Sequence, residues 1–338
     1  MCRNDNLHTQ VCLHPLPFNR CSHYNLSMIE VLSCRANGHA LVTLAVGESY
    51  LEKWKNHASE SWIAYCKAHG LGLYVQEENQ ELSGPSKKVT WQKLLIPQKL
   101  REQFSTVKTF CYLDSDIVIN PQGENVFDYI NNLTLNLVSQ VKGLPFNLKY
   151  AQKIISFYRH NYYSKDYPLD SAIFMTPEQI FSWHGFESFD NYACLGFFAG
   201  SIDQLATDLY GMYHSYSHDV VSLTDGGDEP ILNFEFQSKY RINWLPYRFQ
   251  AIWLFELATK YPFLYNPSHV NPRLIKECVN SSILNNCFLH FAGSWGESSH
   301  IQIGPFLNTE ESSALLDYLK RPVSATPKGR ILPKKLAT

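Results

Sequence analysis

The spacing of apolar and polar residues along the chain predicts an α/β fold. A buried strand is predicted over 39–46, followed by a helix that begins at Glu48 and ends at Gly70, and then by a strand over 71–75. Strand, helix and strand of these lengths form a βαβ unit, which makes the two strands parallel and the crossover right-handed. The sequence therefore predicts an α/β protein with a mixed, mainly parallel sheet flanked by helices.

The same patterns continue over the rest of the chain. Asp228 is a favourable N-cap residue, and Pro230 suits the first turn of the helix that follows it. Pro97 is expected to kink the helix that contains it. The further predicted strands are 110–113, 117–119, 135–139, 192–201, 241–245 and 286–292, and the further predicted helices are 91–104, 202–216, the segment after Asp228, and 309–319.

The chain is predicted to form one catalytic domain over 38–320. An irregular arm precedes it over 1–37, and a basic tail rich in proline and lysine, expected to be disordered, follows over 321–338. Four residues of the arm (Cys12, His14, Cys21 and His23) are zinc-type ligands, but their spacing matches no common zinc pattern, so an irregular arm is favoured.

Composition and charge restrict the location and partners. The nine cysteines are scattered, odd in number and without a Cys-x-x-Cys pair, which favours free thiols in a reducing compartment. The start of the chain is no secretory signal, and no run approaches the ~20 apolar residues that a membrane span requires. A net charge of −2 gives no electrostatic case for nucleic acid. The cytoplasm is expected, with weak contact between the basic tail and a membrane surface left open.

The residues with the strongest chemical signal lie at the end of the strand over 110–113. Asp114 and Asp116 follow it directly, at the carboxyl edge of the sheet where α/β proteins bind ligands. Paired carboxylates suit Mn²⁺ or Mg²⁺, especially when phosphate oxygens complete the coordination shell. Roughly half an Asp-x-Asp instance is expected by chance, so the position after a buried strand gives the motif its value. A capped, solvated turn is the structural alternative.

Four segments resemble motifs of GT-A glycosyltransferases, and the resemblance spans most of 39–295. Residues 113–119 (Leu-Asp-Ser-Asp-Ile-Val-Ile) are similar to the metal site of that superfamily. Residues 290–293 (His-Phe-Ala-Gly) resemble the His-Phe-x-Gly of glycogenin-like retaining transferases, in which the histidine is the third metal ligand. Residues 228–233 (Asp-Glu-Pro-Ile-Leu-Asn) and 197–201 (Phe-Phe-Ala-Gly-Ser) resemble segments of the blood-group-type transferases.

This resemblance implies a GT-A fold and a metal-dependent enzyme. Such an enzyme moves a hexose from a UDP- or GDP-type sugar donor to a glycan or glycolipid acceptor, with retention of configuration. Mn²⁺ or Mg²⁺ would be held by Asp116, His290 and Asp114, with Asp116 ranked above Asp114 because the first aspartate of the motif often contacts ribose. Glu229 or Asp228 would face the anomeric carbon.

The resemblance also implies a set of binding residues. Those expected to bind the nucleotide sugar are Thr43, Leu44, Ala45, Tyr50, Lys93, Ser115, Gly293 and Ser294, with Lys93 as the phosphate contact. Trp295 and Phe198 are expected to stack on a sugar or on the acceptor. Structural alternatives are a hydrogen-bonded core histidine for His290, a helix cap for the 228–229 pair, a solvated lysine for Lys93 and a core tryptophan for Trp295.

Two other functions remain open from the sequence. A haloacid-dehalogenase-type phosphatase would use Asp114 as nucleophile and Asp116 as general acid. Its motif normally lies on the first strand, and its later Gly-Asp-x-x-x-Asp is missing because Leu232 stands at the required offset from Asp228. A non-catalytic protein that binds sugars through aromatic side chains is the other alternative. The glycosyltransferase hypothesis depends on His290 lying within coordinating reach of Asp116.

Overall fold

The computed structural model describes residues 28–80, 87–161, 171–216, 227–265 and 271–292. Its strands are β1 (Ile29–Leu32), β2 (His39–Leu44), β3 (Gly72–Gln76), β4 (Thr109–Leu113), β5 (Ile117–Ile119), β6 (Leu135–Val138), β7 (Phe197–Ser201), β8 (Ile242–Leu245), β9 (Ala251–Ile252) and β10 (Phe288–His290). Its α-helices are α1 (Glu48–His57), α2 (Ser59–His69), α3 (Ile96–Gln103), α4 (Leu148–Asn161), α5 (Pro177–Trp183), α6 (Ile202–Ser215), α7 (Glu229–Lys239), α8 (Trp253–Lys260) and α9 (Pro272–Asn285).

Seven strands form the central sheet in the order β1-β3-β2-β4-β7-β6-β8. Strands β3, β2 and β4 are mutually parallel, β7 is antiparallel to both β4 and β6, and β8 is parallel to β6. Because β1 is antiparallel to β3, every strand of this sheet except β1 and β7 runs in the same direction. The predicted fold class, an α/β protein with a mixed, mainly parallel sheet, is confirmed.

Hydrophobic side chains cover both faces of this sheet. On one face, α1, α2, α4, α8 and α9 pack with Leu41, Leu73 and Cys111 of the strands. On the other face, α3, α6 and α7 pack with Val42, Phe110 and Leu137. Side chains alternate between the faces along each strand, so the near-continuous apolar runs of β2, β3 and β4 are those of strands buried on both sides.

A second, three-stranded sheet lies beside the first and carries the last strand. Its order is β5-β10-β9, with β10 antiparallel to β5 and parallel to β9. The register pairs His290 with Ile117 on one side and with Ile252 on the other. This sheet therefore brings the end of β10 to the turn between β4 and β5.

Two predictions about helices differ from the structure. The single helix predicted from Glu48 is two helices, because Ala58 leaves the helical conformation, and Trp54 and Trp62 pack edge to face across the break. Gly70 does end α2 in the left-handed conformation. Pro97 lies in the first turn of α3, after a 3₁₀ segment, where its missing N–H costs nothing, so it begins a helix instead of kinking one.

The segment predicted as an irregular arm contains β1, which pairs with β3 and was not expected. Several other predictions lie outside the described residues: the Cys/His group at 12–23, the helix over 309–319, the tail over 321–338, and Gly293, Ser294 and Trp295. The six cysteines in the described ranges are free thiols. None of the helices in those ranges has the length and apolar character needed to cross a bilayer.

Candidate active site

Three chain segments bring an acidic pair and an imidazole together. Asp114 follows β4 directly, Asp116 precedes β5, and His290 ends β10. Because β5 and β10 pair antiparallel, Nε2 of His290 lies 3.0 Å from Oδ1 of Asp116 and 3.9 Å from Oδ2 of Asp114. One possible metal-ligand atom from each of these three residues lies within 4.8 Å of the other two. His290 therefore lies where the sequence hypothesis required it.

The chemistry of these three side chains fits a divalent metal ion. Two carboxylates and one imidazole are ligands that Mn²⁺ and Mg²⁺ sites accept. Oδ1 of Asp116 is buried and makes no hydrogen bond of good geometry within the described residues, and Nε2 of His290 lies 3.0 Å from it. A buried carboxylate oxygen is costly unless a positive charge compensates it, and either the protonated imidazole or a bound metal ion would supply that charge. The group could thus hold Mn²⁺ or Mg²⁺.

Burial and neighbouring charges shift the pKa values of this group. Burial raises the pKa of Asp114 and Asp116 adds to that rise, while Lys93, His290 and the Tyr112 hydroxyl oppose it. The Tyr112 hydroxyl donates a 2.7 Å hydrogen bond to Oδ1 of Asp114. Burial alone would lower the pKa of His290, but the Asp116 carboxylate outweighs it and holds that pKa well above the usual value.

The opposite edge of the imidazole faces the protein interior. Its Nδ1 lies 3.2 Å from Nε2 of Gln250 and 3.6 Å from Sγ of Cys194, and both residues are buried. A Cβ atom on Gly196 would lie 2.4 Å from Cε1 of His290 and 2.8 Å from Oδ2 of Asp114. The chain can pass this close to both side chains only because residue 196 has no side chain.

Lys93 is a buried counter-ion of the site, which corrects the prediction of a phosphate contact on an amphipathic helix. It lies in a 3₁₀ segment, and its ammonium is 2.9 Å from Oδ2 of Asp228 and 3.8 Å from Oδ1 of Asp114. It also donates a 3.0 Å hydrogen bond to the Leu195 carbonyl. Burial would lower the pKa of Lys93, but Asp114 and Asp228 reverse that effect and raise it. The ammonium is committed to two carboxylates.

The predicted catalytic pair lies at the start of α7, next to Lys93. Asp228 occupies the N-cap position but makes no capping hydrogen bond with its side chain, since its carboxylate pairs with Lys93. Glu229 is partly buried, and its Oε2 accepts a 3.4 Å hydrogen bond from the Leu195 N–H. Burial, followed by the charge of Asp228, raises the pKa of Glu229 to about 7. Glu229 can therefore change its charge near neutral pH.

The motif over 228–233 also fixes the backbone that faces this pair. Asn233 is fully buried, and its amide exchanges two 2.8 Å hydrogen bonds with the N–H and carbonyl of Ala193. The next residues along the chain are Cys194, Leu195 and Gly196, which all contact the site. The asparagine thus ties α7 to the turn before β7, which contacts Glu229, Lys93 and His290.

A cleft of about 440 Å³ opens beside the acidic pair. It is lined by Leu44, Val46, Tyr50, Lys88, Val89, Thr90, Tyr112, Asp114, Ser115 and Asp116. Of the residues predicted to bind a nucleotide sugar, Leu44, Tyr50 and Ser115 line this cleft. Thr43 and Ala45 are fully buried, and their side chains alternate with Leu44 toward the opposite face of β2, so the prediction that they bind the ligand is wrong for their side chains.

The position of Phe198 also differs from the prediction that it stacks on a sugar or on the acceptor. It is fully buried, stacks on Tyr112 and packs against Phe110 and Phe236, so its ring has no face left for a sugar. The three predicted residues Gly293, Ser294 and Trp295 lie outside the described residues.

Of the residues that sequence reasoning missed, Tyr112 could have been found, because two-residue alternation puts it on the same face of β4 as Asp114. Gln250 and Cys194 carry no such signal, because pairing between distant segments brings them close: β9 pairs with β10 next to Gln250, and β7 pairs with β4 next to Cys194.

Several solved structures of glycosyltransferases are similar to this chain over much of its length. One is a glycosyltransferase involved in the glycosylation of the major capsid of PBCV-1 (11% identity, TM-score 0.40, covering 82% of this chain and 99% of that one). Another is the galactosyltransferase LgtC in complex with donor and acceptor sugar analogues (12%, 0.43, 84% and 98%), and a third is the bifunctional WbbM (14%, 0.40, 75% and 45%). No protein-family profile and no curated protein sequence matches the chain. At these identities and scores the activity has to be argued from the site itself.

Proposed function

We propose that this protein is a metal-dependent glycosyltransferase of the GT-A type, which moves a hexose from a UDP- or GDP-type sugar to a glycan or glycolipid. The observation that carries the proposal is the convergence of Asp114, Asp116 and His290 beside a cleft at the carboxyl edge of the sheet. Such a combination suits nucleotide-sugar transfer, because the leaving diphosphate gains charge as its bond to the sugar breaks and a bound cation stabilises that charge.

In this proposal Asp116, His290 and Asp114 hold Mn²⁺ or Mg²⁺. The ion, when bound, supplies positive charge to the leaving diphosphate. Leu44 and Tyr50 line the part of the cleft that would take the base and ribose, with Ser115 beside the diphosphate. Tyr112 keeps Asp114 oriented through its hydrogen bond.

Glu229 and Asp228 are proposed to face the anomeric carbon. Asp228 is held by Lys93, which keeps its carboxylate in one position, while Glu229 has the raised pKa of a carboxyl in a desolvated site. Two carboxylates in unlike environments are what a nucleophile or an ion-pair stabiliser for an oxocarbenium-like transition state requires. This pair supports retention of configuration, and NMR of the product's anomeric proton tests that point, since an inverted product removes Glu229 from this role.

The proposal is tested by incubating the purified chain with a panel of UDP- and GDP-sugars and Mn²⁺, with p-nitrophenyl phosphate in parallel. Slow, metal-dependent release of UDP or GDP in the absence of acceptor is the expected result. Release of p-nitrophenol would favour the phosphatase alternative. Binding of nucleotide sugar without any turnover would favour a non-catalytic sugar-binding protein.

Asp116→Ala provides the variant for this assay. We expect it to abolish turnover while leaving the fold intact, because the side chain is a ligand rather than part of the hydrophobic core. Asp190→Ala is the matched control, since Asp190 is highly exposed and forms a surface ion pair with Lys142, which contributes little. Near-normal turnover by Asp116→Ala would contradict the metal site.

The cytoplasmic location and the contact of the tail over 321–338 with a membrane surface remain predictions. Co-sedimentation of the full chain with anionic and neutral vesicles tests the second. Binding to anionic vesicles alone, abolished by salt, is the expected result if basic residues of the tail attach the protein.

A further inference from the structure

The side chain of Gln250 is buried, and the one polar partner found for it among the described residues is His290. Gln250 immediately precedes β9, whose pairing with β10 sets Ile252 opposite His290. Its backbone N–H donates a 2.9 Å hydrogen bond to the Tyr247 carbonyl, which ends a 3₁₀ turn at this point. The side chain is 2% exposed and ends 3.2 Å from Nδ1 of His290. Backbone pairing on both sides thus fixes the position of this amide relative to the imidazole.

Metal coordination through Nε2 imposes a condition on the other ring nitrogen. Nε2 of His290 is the atom that faces Asp116 and Asp114. For Nε2 to offer its lone pair, the imidazole must carry its hydrogen on Nδ1, which then needs an acceptor. Because the ring is buried, that acceptor must come from the protein.

Two groups lie near enough to Nδ1 to act as that acceptor. The thiol of Cys194 is 3.6 Å away, and sulfur is a weak acceptor. The Gln250 amide is closer, at 3.2 Å through its Nε2, and its Oε1 is buried without a hydrogen-bond partner among the described residues. A half-turn about the terminal torsion exchanges these two atoms without a change of shape, and it gives the otherwise unpaired oxygen the Nδ1–H as its donor.

We propose that Gln250 is a positioning residue for the metal site: its Oε1 accepts a hydrogen bond from Nδ1–H of His290 and so keeps the Nε2 lone pair directed at the acidic pair. This inference rests on the proposed metal-dependent function. Outer-shell acceptors of this kind fix both the tautomer and the ring orientation of a histidine ligand, and their removal typically lowers metal affinity by about 10- to 100-fold.

The first test compares two variants of similar side-chain length, one that removes the acceptor of this hydrogen bond and one that keeps it as a carboxylate. Gln250→Met keeps the length of the side chain and removes the acceptor, whereas Gln250→Glu keeps an acceptor. Mn²⁺ binding to the full chain is measured by titration calorimetry, with thermal unfolding as the check on folding. We expect Gln250→Met to bind Mn²⁺ about 10- to 100-fold more weakly and Gln250→Glu to bind at least as well as wild type.

Cys194→Ala separates the two candidate acceptors. We expect it to weaken Mn²⁺ binding less than Gln250→Met does. A folded Gln250→Met protein with wild-type affinity overturns the proposal, as does a larger loss in Cys194→Ala. If the wild-type protein binds no Mn²⁺, the metal site of the proposed function is wrong, and this inference is wrong with it. If the wild-type protein binds Mn²⁺ and a folded Gln250→Met protein binds it equally well, only this inference is wrong.

The tautomer is also observable directly. Long-range ¹H–¹⁵N spectra of the Mg²⁺-loaded, histidine-labelled protein report which ring nitrogen carries hydrogen, and the signal of His290 is assigned by its disappearance in His290→Asn. The proposal requires hydrogen on Nδ1 and none on Nε2. Hydrogen on Nε2 in the loaded wild-type protein would overturn it.

Discussion

Substitution of Gly196 by alanine is expected to damage the candidate metal centre through one methyl group. The backbone of Gly196 is not in the left-handed region, so alanine is compatible with its conformation and the effect is purely steric. The new Cβ would lie 2.4 Å from Cε1 of His290, whereas ordinary contact begins at 3.4 Å. A gap of about 1 Å must therefore open, and the imidazole cannot yield freely because Gln250, Cys194 and Asp116 surround it.

The size of the effect follows from this displacement. Metal–ligand distances tolerate changes of about 0.2 Å, so a shift of about 1 Å removes His290 as a ligand. Overpacking a buried site costs about 1–3 kcal/mol. If the imidazole moves away to relieve this strain, restoring it as a metal ligand costs the same free energy, which corresponds to a loss of about 5- to 150-fold in Mn²⁺ affinity. Turnover should fall by about 100-fold, the usual cost of a 1 Å misplacement.

The assay measures Mn²⁺ affinity by calorimetry and donor hydrolysis by nucleotide release, for Gly196→Ala and for Gly211→Ala. Gly211 lies on the exposed side of α6, and its added Cβ would meet no atom within 4 Å. The control should bind Mn²⁺ normally and gain about 0.5–1 kcal/mol of stability, since alanine suits a helix better than glycine. Wild-type Mn²⁺ affinity in Gly196→Ala would refute the close approach on which this reasoning depends.

Three further predictions concern the charges and the core near the site. Lys93→Met leaves Asp114 and Asp228 without their counter-ion, so the free energy of unfolding, measured in urea, should fall by about 3–5 kcal/mol. A rise in the KM for the donor with no loss of stability would instead support the predicted phosphate contact. Because the pKa of Glu229 is raised to about 7, kcat/KM should rise as pH increases through that value in wild type and stay flat in Glu229→Gln, as a pH–rate profile shows. Phe198→Ala should lose about 3–5 kcal/mol of unfolding free energy with acceptor KM unchanged, whereas a KM effect in a stable variant would support sugar stacking.

Local sequence patterns were sufficient for most of the strands and helices that shape the fold. The strands β4 and β5 are short apolar runs bounded by turn residues, and the structure has both of them within a residue of the prediction. The elements that the sequence did not predict depend on contacts between residues that are far apart in the chain. Strand β1 is short and half-exposed, and it exists because β3 offers it a partner, which no local pattern reveals.

The candidate site shows the same difference between residues found from local patterns and residues whose roles depend on distant contacts. Asp114, Asp116 and His290 were identifiable because each ends or follows a recognisable apolar run. Lys93 was identified as a site residue but was assigned to phosphate, because no local pattern reveals its contact with Asp228, which lies 135 residues further along the chain. The role of Asp228 as an ion-pair partner instead of a helix cap depends on that same distant contact.

The central claim is that a divalent ion is bound by Asp116 and His290 beside the cleft. A crystal of the full chain soaked with Mn²⁺ and UDP or GDP tests it most directly, through the anomalous scattering of manganese. We expect one strong peak within bonding distance of an Asp116 carboxylate oxygen and of Nε2 of His290, with the nucleotide diphosphate next to it. A nucleotide bound in the cleft with no manganese at these two residues, or manganese bound elsewhere, would contradict it.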